Sequence, residues 1–452
     1  MTDGDPTQRI IDGDIPVCVG LFGRPVIGEM PIQNDRGFSS VAALRDVNTK
    51  RMRIRQEVRQ ERPSYFILVP TLRCNIRCEY CQVSRVAEHA QGFDWSPELL
   101  DQISNFILET SGKEITLEFQ GGEPLLRLDI IRELTERLSA RGKICRTVIC
   151  TNLQSVSPDA WDFFRQTDAL ISTSFDGTWE AHDKLRTQDQ TRLREFRDNL
   201  EYALSEFGNE RVSLVSTLDP NAPPPAREII AASRELGITN LFLRPINYQG
   251  FARKMFRDAR EGTGWDRYYL DFIDQLIADN LNRDRVIGEY YFGYVLRRVL
   301  DPRRSEHVDL RNPSWLGRDY LVINETGDIF PTDEARMLYR TRQVDLRIGH
   351  VDTGLDSNVV AQLNAHADNR RDPICAACVY QAACGRDLVD DLSRYGRIDS
   401  PRHETRHCQR HMAIFDHVMR KLARASTREL QVIGQMAGLN GIDARDYRRV
   451  HG

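Results

Sequence analysis

Tyr65-Phe-Ile-Leu-Val-Pro-Thr-Leu-Arg-Cys74-Asn-Ile-Arg-Cys78-Glu-Tyr-Cys81 carries two signals in one short stretch. The apolar run from Tyr65 has the length and side chains of a buried strand. The loop after it sets three cysteines at Cys-x3-Cys-x2-Cys spacing. This strand opens a series: short apolar segments near 65–70, 114–120, 144–150, 170–175, 211–218 and 238–244 alternate with amphipathic helical stretches. The helices announce their starts, as in Ser96-Pro97-Glu98, where serine caps, proline takes the first helical position and the acid suits the dipole. Leu99, Leu100, Ile103, Phe106 and Ile107 then fall on one helical face. Six such units in series predict an α/β fold of parallel strands joined by right-handed crossovers. The product is an open or closed barrel with its chemistry at the carboxyl ends of the strands.

Outward from this core, the pattern changes after about residue 262 to helices near 264–282 and 286–300, a hairpin in YLVINETGDIFP, a cysteine-rich segment and closing helices. The expected division is an N-terminal segment 1–62, a barrel 63–300, a cysteine-rich domain 301–425 with its boundary near 300 to 315, and a helical tail 426–452. The basic run Lys50, Arg51, Arg53, Arg55, Arg59 and Arg62 reads as a solvated helix face or linker, with a peptide-docking patch as the alternative. A balance of 62 Lys+Arg against 66 Asp+Glu, net −4, supplies no long-range attraction for nucleic acid or acidic membranes. A polar, acidic start and the lack of a membrane-length apolar run predict a cytoplasmic protein. Cysteines clustered in that reducing compartment read as metal ligands; Cys18, Cys145 and Cys150 stand outside the clusters, and Cys150 reads as core.

A four-iron four-sulfur cube held by Cys74, Cys78 and Cys81 keeps one iron open for an exogenous ligand. A zinc site would want a fourth close ligand, for which His89 is the nearest candidate. The second strand ends in Phe119-Gln120-Gly121-Gly122-Glu123-Pro124, where two glycines let the backbone come close to a ligand and a carboxylate suits an ammonium. The fourth ends in Ser172-Thr173-Ser174-Phe175-Asp176-Gly177, followed by His182, Asp183 and Arg186. His182 reads as a packing residue, while Thr151-Asn152 and Leu243-Arg244-Pro245 fall at strand ends lining the same cavity. Near the C-terminus, Cys375, Cys378, Cys384 and Cys408 form a complete four-thiolate set, which suits electron transfer or structure, with a zinc ribbon as the rival.

The three-cysteine spacing, with the Gly121-Gly122-Glu123-Pro124 loop, resembles the radical S-adenosylmethionine (SAM) superfamily. That resemblance implies a partial (β/α)6 TIM-like barrel with Tyr80 against the adenine of SAM. It places Gly121, Gly122 and Glu123 at the methionine amine, and Ser174, Asp176 and Arg186 at the ribose and carboxylate. The second group resembles the SPASM extension of radical SAM maturases, but Leu388 and Thr332 stand where that family has further cysteines. One auxiliary 4Fe-4S cluster is therefore expected beside the SAM-binding one. The phrase Asp328-Ile-Phe-Pro-Thr332-Asp333-Glu334-Ala-Arg336-Met-Leu, with Arg347-Ile-Gly349 and the segment from Cys375 to Cys408, is similar to the maturase of His-Xaa-Ser peptide systems. This implies an oxidoreductase that reductively cleaves SAM and cross-links side chains of a ribosomally made precursor peptide, fed by a donor such as flavodoxin or ferredoxin. It also makes Asp333 either the proton acceptor or an ordinary acid at a helix start. A peptide epimerase and a sulfatase-type formylglycine maturase are the alternatives within the class; an iron–sulfur electron carrier and a zinc-binding protein lie outside it.

Overall fold

In the computed structural model, which describes residues 49–53, 62–255, 263–300 and 314–439, the six parallel strands form close to their expected bounds. They are β1 (Tyr65–Leu68), β2 (Glu114–Phe119), β3 (Ile144–Thr151), β4 (Leu170–Ser174), β5 (Val212–Leu218) and β6 (Asn240–Pro245). Between them run α1 (Pro97–Thr110), α2 (Leu128–Ala140), α3 (Pro158–Gln166), α4 (Gln190–Arg211) and α5 (Ala226–Glu235). The Ser96 hydroxyl accepts from Leu99 N and Pro97 begins α1, as its sequence dictates. Leu100, Ile103, Phe106 and Ile107 of α1 are buried, each worth roughly 1.5–3 kcal/mol relative to exposure.

Side chains alternate along each strand because successive Cβ atoms point to opposite faces. Ile115, Leu117 and Phe119 of β2 join the apolar core, while Thr116, Glu118 and Gln120 line a central cavity. Register aligns the strand ends: Leu68 pairs with Phe119, Phe119 with Ile149, Thr151 with Thr173, Ser174 with Val215 and Leu218 with Pro245. The loops after all six strands therefore meet at one rim.

The sheet remains open. Beyond β6 it ends at β7 (Gly288–Glu289), between α6 (Thr263–Asn280) and α7 (Tyr290–Leu300). On its other side the hairpin β8 (Leu321–Ile323) and β9 (Asp328–Phe330) joins directly, with β8 parallel to β1 through the pair Phe66 and Leu321. β10 (Gly349–His350) and β11 (Gly354–Leu355) complete eleven strands. The C-terminal region thus extends the barrel's own sheet. It carries α8 (Asp333–Arg340), α9 (Ser357–Ala367), α10 (Leu388–Tyr395), α11 (Arg406–Arg424) and α12 (Thr427–Met436). The expected boundary near 300 to 315 falls largely among residues 301–313, outside the described ones.

One expectation changes. Arg51, read as part of a solvated face, is buried and donates from Nη2 to the carbonyl of Val299 at 3.2 Å. It satisfies the carboxyl end of α7, where cations are favoured; Arg55 and Arg59 lie outside the described residues. Within the segment read as a helical tail, α12 starts with a Ser426/Glu429 capping box and buries Leu430, Ile433 and Met436. Among the described residues no helix is long and apolar enough to cross a membrane.

Candidate active site

A cavity of about 1000 Å³ runs through the barrel interior, from Ser64, Arg146 and Asn240 near the amino ends of the strands to the carboxyl rim, where the C-terminal region faces it. Cys74, Cys78 and Cys81 border it, with Tyr80, Gly121, Gly122, Thr151, Asn152, Ser174, Arg186, Arg244 and Pro245. Thr332, Asp333, Asp387 and Arg410 line the facing side.

The cysteine loop is held by backbone bonds to the β2 loop: Gly122 N donates to Thr71 O at 3.0 Å and Glu123 N to Arg73 O at 2.7 Å. A Cβ at Gly121 would collide with the Thr71 carbonyl oxygen, and one at Gly122 with that of Arg73. The two glycines thus let one loop lie directly on the other, a reason distinct from ligand approach. Gly122→Ala is expected to lower the thermal midpoint and the reconstituted iron content together, because a backbone clash at a packed contact costs at least about 1–3 kcal/mol. Thermal unfolding and iron assay read both; wild-type values for each would show that the loops separate freely.

Glu123 is buried beneath this contact and is not among the cavity-lining residues. Its carboxylate accepts from Asn152 N at 2.8 Å and Leu125 N at 3.1 Å, and burial pushes it up to about 7. It ties the loop after β2 to the end of β3. Asp176 is likewise fully buried, 0% exposed. It accepts from Tyr80 Oη at 2.8 Å, Arg186 Nε at 2.9 Å and Thr217 N at 3.2 Å. The Arg186 guanidinium lies 5.0 Å over the Tyr80 ring. Asp176 therefore fixes Arg186 and Tyr80, which face the cavity, while Ser174 borders it at the end of β4. His182 stacks on Phe196 at 4.0 Å, as a packing residue does.

The three thiols suit an iron cube in their donors. Asn152 Nδ2 lies 3.7 Å from Cys74 Sγ and Arg186 Nη1 lies 3.8 Å from Cys78 Sγ, N–H groups that favour thiolates. Burial raises the thiols, Cys74 to about 12 and Cys78 to about 11, so they are neutral near pH 7 until a metal displaces their protons. Among the described residues no three or more His, Cys, Asp or Glu side chains converge on a single-ion position; in a cube each thiolate holds its own iron.

At the other site Cys375, in a short turn Pro373–Ala376, interacts electrostatically with Cys384 and Cys378, and Cys408 of α11 with Cys384. Burial raises the thiols of Cys375, Cys378 and Cys408. Arg402 is 1% exposed, acts on Cys375 and Cys408, and has its Nη2 buried without a hydrogen-bond partner. A buried cation so placed fits the net negative charge of a thiolate-ligated cluster.

Asp333 lines the cavity and also starts α8. Thr332 caps that helix by accepting from Ala335 N at 3.0 Å, and Asp333 accepts from Arg336 Nε at 2.7 Å. Sequence reading missed the donors to Cys74 and Cys78 sulfur. It also missed Asp387, whose place before the apolar pair Leu388-Val389 was the available sign of a helix cap.

The model of the radical SAM superfamily matches residues 68–231. A cysteine-type anaerobic sulfatase-maturating enzyme of Clostridium novyi (strain NT) is 31% identical over 120 residues, covering 25% of this chain and 32% of the relative. A serine-type counterpart from Bacteroides thetaiotaomicron is 29% identical over 133 residues, covering 28% and 32%. The matched stretch thus spans about a third of each curated relative's length. Among solved structures, anSMEcpe with bound AdoMet covers 86% of this chain and 99% of its own at TM-score 0.61 and 15% identity. Streptococcus suis SuiB bound to precursor peptide SuiA covers 84% and 82% at TM-score 0.53 and 14% identity. At these identities the two structures establish a shared fold.

Proposed function

Because this chain carries a radical SAM superfamily domain over residues 68–231, within the fold of SPASM-type maturases, we propose that it modifies a ribosomally made peptide by oxidative cross-linking of its side chains. The observation that carries this reading is one cavity bordered by Cys74, Cys78 and Cys81 and lined on another side by the region that holds Cys375, Cys378, Cys384 and Cys408.

In this reading Cys74, Cys78 and Cys81 hold a 4Fe-4S cluster, and Cys375, Cys378, Cys384 and Cys408 hold a second. When bound and reduced, by flavodoxin or ferredoxin, the first supplies the electron that splits SAM into methionine and a 5′-deoxyadenosyl radical. Tyr80 and the backbone of Gly121 and Gly122 offer SAM an aromatic edge and a cradle, with Ser174 and Arg186 beside them. Asp176 and Glu123 keep those groups in place from behind. Forming a bond within the peptide is a net oxidation, so an electron leaves the substrate, and a fully ligated cluster suits an acceptor.

Co-expression with a short precursor peptide tests this. A cross-link removes two hydrogens and abolishes fragmentation between the joined residues. A mass-neutral product made with SAM consumption would refute cross-linking in favour of epimerisation. The likeness to sulfatase-maturating enzymes supports a second reading, formylglycine formation, which would convert a single Cys or Ser in a sulfatase-derived peptide and leave no fragmentation gap.

A further inference from the structure

The carboxylates on the cavity wall differ in what already holds them. Asp333 is tied to Arg336 and Asp390 to Arg394, each at 2.7 Å. Glu118 is bonded by Tyr65 and Gln120. Asp387 is held differently. Its Oδ1 accepts from Val389 N at 3.1 Å and Asp390 N at 2.9 Å at the start of α10. Its Oδ2 takes no hydrogen bond, and the group pairs with no cation, among the described residues. The backbone amides therefore fix the carboxylate at the wall and leave one oxygen for whatever occupies the cavity.

We propose that Asp387 is the proton acceptor of the peptide oxidation carried out in this cavity. The inference rests on the functional reading above and names the base within it. The balance is complete: a substrate C–H bond gives its hydrogen atom to the deoxyadenosyl radical, forming 5′-deoxyadenosine. The carbon then bonds to a side-chain heteroatom or carbon, whose own hydrogen leaves as a proton to Asp387 Oδ2. One electron passes to a one-electron acceptor of the iron–sulfur class.

The surroundings suit the role. Burial, then the adjacent Asp390, pushes the Asp387 carboxyl up to about 7, so it both takes and returns a proton near neutral pH. Asp391 adds to this, although it is paired with Arg402. Arg386 and Arg394 flank Asp387 on its own segment, and the packed helix α8 presents Asp333, already held by Arg336. The base form prevails above about pH 7, so product formed per SAM cleaved should rise as pH increases through that value.

The test uses the full reconstituted chain in two arms. The first needs no peptide: infrared difference spectra across pH should show protonated-carboxyl intensity that titrates near neutrality from Asp387 and from Glu123, both pushed up to about 7, and Asp387→Asn should remove one carboxyl's share of it. Undiminished intensity in Asp387→Asn would overturn the assignment. The second arm measures cross-linked precursor and 5′-deoxyadenosine separately. In Asp387→Asn the ratio of product to deoxyadenosine should fall by about a hundredfold or more, the usual worth of a positioned base. Asp387→Glu should recover most of it and shift the pH profile. An unchanged ratio in Asp387→Asn would refute the proton-acceptor role while leaving the radical SAM reading intact. Lack of deoxyadenosine from the wild type would instead refute that reading, and the role with it.

Discussion

Replacing Cys74, Cys78 and Cys81 together by alanine is expected to remove about half of the iron bound after anaerobic reconstitution and all formation of 5′-deoxyadenosine. The reason lies in the separation of the two thiol sets. The first loop is held by Arg186 and Asn152 at the barrel rim, and the second lies between the turn Pro373–Ala376 and α11. Loss of one set leaves the ligands of the other untouched. Replacing Cys375, Cys378, Cys384 or Cys408 should remove the other half of the iron and leave some SAM cleavage uncoupled from product. Iron and sulfide assays with chromatography of deoxyadenosine check both outcomes. Loss of all the iron from either replacement alone would mean the two sites fold or load as one.

The second large effect is expected at Asp176. Its carboxylate is 0% exposed and answers Tyr80, Arg186 and a backbone amide at once. Asp176→Ala leaves the Arg186 guanidinium buried without its counter-charge, and breaking such a pair costs about 3–5 kcal/mol. The freed arginine also loses its aim at Cys78 sulfur. The variant should therefore unfold well below wild type and bind SAM weakly even at temperatures where it is folded. Asp176→Asn, which retains the shape and one acceptor, should recover part of the stability. Calorimetry and equilibrium dialysis with SAM read the two effects, and wild-type stability in Asp176→Ala would show that Arg186 finds another anion.

Much of the barrel was legible because each strand is a short apolar run closed by a turn signal, and parallel strands buried against helices leave that trace. The motifs at the strand ends were legible for the same reason, since each follows such a run. Orientation was harder to read. Glu123 and Asp176 lie in motif positions, yet both turn inward and hold their neighbours, because backbone amides and Arg186 offer more than the open cavity does. Nothing in the spacing tells a ligand-facing acid from one that braces a loop. Arg51 misled because a basic run is ordinarily solvated, and only the fold brings the carboxyl end of α7 to meet it. The hairpin was clear from Asn324 to Gly327, but its parallel pairing with β1 spans more than 250 residues and has no local sign. Asp387 went unnoticed amid the cysteines, because its place on the cavity wall depends on α10 packing against α8 and leaves no local sign.

The metal composition and SAM chemistry of the wild-type chain, purified or reconstituted without oxygen, decide between a radical SAM enzyme and a zinc protein. About eight irons and eight sulfides per chain are expected, in a brown protein that reductively cleaves SAM to methionine and 5′-deoxyadenosine. A colourless protein with zinc, no sulfide and no deoxyadenosine under reduction would contradict the radical SAM reading.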